Sequence, residues 1–212
     1  MLNVKALLFD LDGTLLDTKE LILTSFRYAT AAVLGASPPD EQLASMIGIP
    51  LRKQMQAIDL EHADEMMAIY RENNERVHDK LIKEFPGVAE TLQQLKTAGY
   101  QLAVVTSKMR KQAVRGLQFF DLVDLFEFIQ GSDDTERHKP EAEPLLVAAK
   151  TMGLDPEQCA YIGDSPYDMQ AARAAGMTAV AALWGMYPRE KLLEAGAQYE
   201  AKNISDLPKL FS

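Results

Sequence analysis

Two aspartates separated by one residue, Asp10 and Asp12, close a short apolar run at residues 4–9 and lead into Gly13-Thr14. A carboxylate pair at this spacing can divide its labour, one acid attacking and the other carrying a proton. Gly13 lets the backbone turn tightly or approach a ligand. The same residues would also suit an Asp-Gly turn or a helix cap. A second acidic pair, Asp164 and Asp168, lies in Gly163-Asp164-Ser165-Pro166-Tyr167-Asp168. Acids at i and i+4 share one face of a helix and suit a hard cation such as Mg²⁺; an N-cap with a dipole-favoured acid is the plainer alternative. Thr106-Ser107-Lys108 ends another apolar run, so its hydroxyls and amide hydrogens can hold a phosphate oxygen. Lys139, before Pro140, supplies a cation that neutralises phosphate. Each feature alone has a structural explanation. Together, in one chain order, all four suit phosphoryl chemistry.

These residues need strands to carry them. Short apolar runs recur at residues 4–9, Leu102-Ala103-Val104-Val105, Phe126-Glu127-Phe128-Ile129, Ala160-Tyr161-Ile162 and residues 178–183. They are too short for typical helices and mostly rich in β-branched or aromatic residues. Helical patterns lie between them. One opens near Pro86-Gly87 and stops at Gly99; one is capped by Ser107 and runs to about Phe119. One starts at Pro140 and ends before Gly153, and one runs from Pro166 to Gly176. The alternation predicts a parallel sheet covered on both faces, and in such sheets ligands bind beyond the carboxyl ends of the strands. Residues from about 19 to 83 break the alternation. Leu21, Ile22, Phe26, Ala29 and Val33, and then Met66, Ile69, Tyr70, Val77 and Leu81, keep helical spacing. This predicts an all-helical insertion punctuated by Pro38-Pro39, Gly48 and Pro50, with Met46, Met55, Met66 and Met67 in its core.

The 212 residues contain 22 Lys and Arg against 31 Asp and Glu, a formal charge of −9. An acidic chain with no basic block is a poor ligand for nucleic acid or an anionic membrane; if it handles a phosphate it must do so with local charge, which favours a metal. Cys159 is the single cysteine, which excludes an intramolecular disulfide and a cysteine-based zinc site. His62, His78 and His138 lack ligand spacing. With no long apolar run and an early acid, the expected location is a reducing cytoplasm.

The four motifs resemble those of the haloacid dehalogenase-like hydrolase superfamily. Asp10 through Asp17 is similar to its Asp-x-Asp-Gly-Thr-x-x-Asp signature, Thr106 to its strand-ending hydroxyl residue, Lys139-Pro140 to its lysine motif, and Gly163 through Asp168 to its Gly-Asp-x-x-x-Asp motif. The helical insertion resembles the type-1 cap. The resemblance implies an α/β fold: a Rossmann-like parallel sheet core with helices on both faces (residues 1–17 and 84–212) and an inserted helical cap (18–83). Phe85-Pro86-Gly87-Val88 through Thr106-Ser107-Lys108 resembles the phosphoglycolate phosphatase-like branch. Thr18-Lys19-Glu20-Leu21-Ile22 and Glu65-Met66-Met67-Ala68-Ile69-Tyr70-Arg71 resemble bacterial inorganic pyrophosphatases within it.

The implied reaction is Mg²⁺-dependent hydrolysis of a small phosphorylated compound, pyrophosphate or 2-phosphoglycolate favoured. Asp10 is the expected nucleophile and Asp12 the acid–base, with Thr106 and Lys139 assisting. Gly13, Ser107 and the cap residue Arg52 are expected at the substrate. The metal is expected on Asp10, Asp164, the main-chain carbonyl of Asp12 and Asp168, the last either directly or through water. The competing readings are a sugar-phosphate mutase of the same superfamily and, from a different class, a phospho-acceptor signalling module.

Overall fold

The computed structural model describes residues 4–211. Strands β1 (Ala6–Phe9), β4 (Gln101–Val105), β5 (Phe128–Gln130), β6 (Cys159–Gly163), β7 (Thr178–Ala182) and β8 (Tyr199–Ala201) form one sheet in the order β5-β4-β1-β6-β7-β8. Every pairing in it is parallel, and β1 lies at the centre between β4 and β6. Two short strands, β2 (Leu16–Asp17) and β3 (Lys83–Glu84), pair antiparallel where the chain leaves the sheet layer and returns.

The central strands are apolar throughout because both faces are covered, and their period of two divides the core. Leu7, Phe9, Leu102, Val104, Ile129, Ile162 and Val180 point to one face. There they pack with α5 (Val88–Thr97), α6 (Arg110–Phe119) and α10 (Leu207–Phe211). Leu8, Ala103, Val105, Cys159, Tyr161 and Ala179 point to the other. They meet α7 (Glu143–Thr151), α8 (Pro166–Ala175) and α9 (Arg189–Glu194). Phe9 is fully buried and meets Phe126 edge-on at 6.3 Å; burying such a side chain is worth roughly 1.5–3 kcal/mol.

The helical insertion comprises α1 (Lys19–Leu34), α2 (Asp40–Ala44), α3 (Leu51–Ile58) and α4 (Ala63–Leu81). Its separate core contains Phe26, Leu43, Met55, Met66, Met67 and Tyr70, so the methionines fill space as expected. Gly35 ends α1 in the left-handed conformation, and Pro50 precedes α3.

Two local expectations are corrected and one strand is added. Ser107 does not cap α6: that helix begins at Arg110 behind Met109, and Ser107 Oγ instead donates to the Gly48 carbonyl at 2.7 Å. Pro140 does not open α7, which starts at Glu143 and carries Pro144 in its first turn. The edge strand β8 went unrecognised because three residues, two of them exposed, carry no legible alternation.

Candidate active site

The carboxyl ends of β1, β4 and β6 open beneath the helical insertion into a cleft of about 180 Å³. Asp10, Asp12, Thr106, Ser107 and Asp164 line it from the sheet side, and Gly48 and Arg52 from the insertion. Lys139 and Asp168 lie beneath it, both essentially without solvent exposure. Gly13 stands against Asp164 rather than in the open cleft.

Asp10 follows β1, and its N–H donates to the Ile162 carbonyl at 2.9 Å, which fixes it between β1 and β6. Its Oδ1 lies 3.1 Å from Lys139 Nζ, yet this buried oxygen accepts no hydrogen bond. Burial pushes the Asp10 carboxyl up to about 7, with Asp168 and Asp12 adding repulsion and Lys139 and the Leu11 N–H opposing. Burial likewise raises Asp164 well above the usual carboxylate range, reinforced by Asp168 and Asp10. Burial draws Lys139 down, but Asp10 and Asp168 more than offset it and hold the ammonium well above its ordinary value.

Lys139 Nζ donates to Asp168 Oδ1 at 2.5 Å and to the Tyr161 hydroxyl at 2.9 Å. The Tyr161 hydroxyl in turn donates to the Val105 carbonyl at 2.6 Å, tying the lysine to β4. The other Asp168 oxygen accepts from Ser165 N–H and Oγ, at 2.9 and 2.6 Å. The N-terminal turn of α8 thus aims Asp168 at Lys139. Asp164 is oriented by Thr14 Oγ1 at 3.2 Å on one oxygen and by the Met186 N–H at 2.7 Å on the other. Trp184 Nε1 donates to the Thr14 carbonyl at 2.9 Å and steadies that donor.

A metal fits here on two observations. Asp10, Asp164 and Asp168 each place a carboxylate oxygen within 4.8 Å of the others, an all-oxygen set that suits a hard cation. Asp10 Oδ1 accepts no hydrogen bond, so beside its ion pair with Lys139 it keeps a lone pair for a ligand. The backbone also leaves space for this group. A Cβ on Gly13, whose φ is +82°, would fall 2.2 Å from Asp164 Oδ2, and one on Gly185 would fall 2.1 Å from Asp164 Cβ.

The tertiary structure adds residues the sequence did not single out. Lys108 Nζ donates to Asp12 Oδ1 at 2.6 Å across 96 positions. It sits in the Thr106-Ser107-Lys108 motif, so the signal was present but indistinct from a solvated lysine. Tyr161 read as a core aromatic, and nothing local marked its hydroxyl. Arg52 reaches the cleft wall, but its Nη1 pairs with Asp64 at 2.7 Å.

The comparisons agree with this geometry. The haloacid dehalogenase-like hydrolase pattern matches residues 7–182. A pyrophosphatase PpaX from Bacillus velezensis is 36% identical over 205 residues, covering 97% of this chain and 95% of its own. A haloacid dehalogenase-like family hydrolase from Streptococcus pneumoniae superposes with a TM-score of 0.89 at 28% identity, over 100% of both chains. A crystal structure described as a predicted phosphoglycolate phosphatase from Haemophilus somnus gives 0.89 at 27% identity, again over 100% of both. With its acids at the ends of β1 and β6, its buried lysine and its helical insertion, the chain belongs to the haloacid dehalogenase-like hydrolases and is a phosphohydrolase of that family.

Proposed function

We propose that the protein hydrolyses a compact phosphorylated substrate, pyrophosphate first and 2-phosphoglycolate second, with Mg²⁺ and through an aspartyl-phosphate. The observation that carries this reading is the buried Asp10 carboxylate at the end of β1, ion-paired with Lys139 and close to Asp164, with one oxygen that accepts no hydrogen bond. The preference for pyrophosphate draws on relatives named pyrophosphatases over nearly their full length.

Asp10 attacks phosphorus, forming an Asp10–phosphorus bond as the bond to the leaving oxygen breaks. Asp12 gives the leaving oxygen a proton. Asp12 then takes a proton from the water that attacks the phosphoenzyme, and Asp10 departs with its electron pair. In the free protein Lys108 holds the Asp12 carboxylate; an incoming phosphate competes for that ammonium, Asp12 takes up a proton from solvent, and the proton it gives to the leaving oxygen is restored by the attacking water. Thr106, at the end of β4, presents its hydroxyl to a phosphoryl oxygen. Ser107 lines the cleft beside it, and its hydroxyl ties Gly48 of the insertion to the sheet.

Asp10, Asp164 and the carbonyl of Asp12 would hold Mg²⁺, which when bound offsets the charge of the acids and of the transferring phosphoryl group. Asp168 holds Lys139 at Asp10 and, with Asp10 and Asp164, would face the metal either directly or through water. The insertion, residues 18–83 in this reading, excludes bulk water.

The test is phosphate release from pyrophosphate, 2-phosphoglycolate and several sugar phosphates, with Mg²⁺ and with EDTA. Rapid Mg²⁺-dependent release from pyrophosphate is expected. Release from none of them by folded protein with Mg²⁺ refutes the proposal.

A further inference from the structure

The insertion presents two arginines to the cleft, Arg52 on α3 and Arg71 on α4. Their situations differ. Arg52 is held by Asp64 at 2.7 Å. On the sheet side Lys108 is held by Asp12 at 2.6 Å, and Lys139 by Asp10 and Asp168. Arg71 has no carboxylate partner among the described residues. Its guanidinium Nη2 rests 3.7 Å from the thioether sulfur of Met109. That methionine immediately precedes α6 and stands three residues beyond Thr106, so Arg71 hangs over the loop that faces the phosphate.

Charge gives this unpaired cation a role. Asp10, Asp12, Asp164 and Asp168 outnumber Lys108 and Lys139, and a divalent cation only evens the count. A bound phosphate adds negative charge, and a second anion on the same substrate adds more. Among the described residues, Arg71 is the lysine or arginine at the cleft that no protein carboxylate has already claimed. The cleft, at about 180 Å³, is smaller than the roughly 300–1,000 Å³ of sites for drug-sized ligands, so that second anion must lie close to the first.

We infer that Arg71 is the specificity-determining residue of this site. It binds the second anionic group, phosphoryl or carboxylate, of a compact substrate whose first phosphoryl group lies at Asp10. The inference rests on the phosphohydrolase reading above and replaces Arg52 by Arg71 as the cap residue that reads the substrate.

Calorimetric binding of three non-hydrolysable probes at saturating Mg²⁺ tests it: methylenediphosphonate, phosphonoacetate and methylphosphonate. The wild type should bind at least one of the first two 10-fold or more tighter than methylphosphonate, and which one shows whether the second anion is phosphoryl or carboxylate. Losing a charge-assisted hydrogen bond should cut that preference about 10- to 100-fold in Arg71→Gln, with part restored in Arg71→Lys. Arg71 is exposed, and an unchanged melting temperature verifies that the variants fold. Equal weakening of all three probes, no preference in the wild type, or no binding at all overturns the inference. Phosphate release by the wild type is measured alongside. Release without probe selectivity overturns only the Arg71 subsite; selectivity that depends on Arg71 without release overturns only the hydrolytic reading.

Discussion

Replacing Asp10 by Asn should make the metal-free protein more stable while abolishing turnover. The Asp10 carboxyl titrates at about 7 in the folded chain against 3.8 when solvated. A raised folded-state value means that the fold favours the protonated acid. Its contribution to stability is therefore complete below about pH 3.8, declines as pH rises and is gone above about pH 7. The gap corresponds to about 4 kcal/mol at ~1.4 kcal/mol per pH unit. Asn keeps the shape and cannot ionise. Asp10→Asn should thus exceed the wild type by roughly 2–4 kcal/mol at pH 8 in EDTA, and by less than ~1 kcal/mol at pH 4. Relief of Asp164, which Asp10 pushes upward, acts in the same direction. Urea unfolding of both proteins across this range, with the slope against denaturant checked for constancy, gives the difference. Added Mg²⁺ should narrow it by stabilising the wild type. An Asp10→Asn protein no more stable at pH 8, or a difference that ignores pH, would refute the electrostatic account. Full phosphatase activity in the variant would refute Asp10 as nucleophile.

Other perturbations probe the remaining groups. Lys139→Met leaves Asp10 and Asp168 buried without their cation and should cost about 3–5 kcal/mol at pH 8. Pairing it with Asp10→Asn should restore part of that loss in the same urea measurement. Gly185→Ala drives a Cβ to within 2.1 Å of Asp164 Cβ, so Mg²⁺ should no longer raise the melting temperature; an intact Mg²⁺ response removes Asp164 from the metal site. Lys108→Met deprives Asp12 of its partner and should lower kcat/KM about tenfold or more; steady-state kinetics showing no change would make that ion pair incidental.

Much of the site was legible because its logic is local. Asp10 and Asp12 follow a buried strand, Thr106 follows another, and Asp164 closes a third. Strand ends can be read from short apolar runs, and in a parallel sheet all those ends lie on one edge. Asp168 was legible too, since i and i+4 spacing and a proline at the helix start put it beside Ser165. One lapse has a tertiary cause. The Ser107 hydroxyl read as a cap because its local surroundings permit capping; its partner, the Gly48 carbonyl, is 59 positions away.

What the sequence determined by itself is therefore the inventory of chemistry and its placement at one edge of an α/β sheet. The tertiary structure alone decided how charges pair. Lys108 finds Asp12 across 96 positions, Lys139 finds Asp168 and the Tyr161 hydroxyl, and Arg52 is taken by Asp64 while Arg71 is not. Backbone spacing reaches only a few residues along a helix or strand, whereas an ion pair depends on which distant side chains share a low-dielectric space. Lysines and arginines look alike along a chain, and only the fold separates Lys108, Lys139 and Arg52, which carboxylates hold, from Arg71 at the same cleft, which none holds among the described residues.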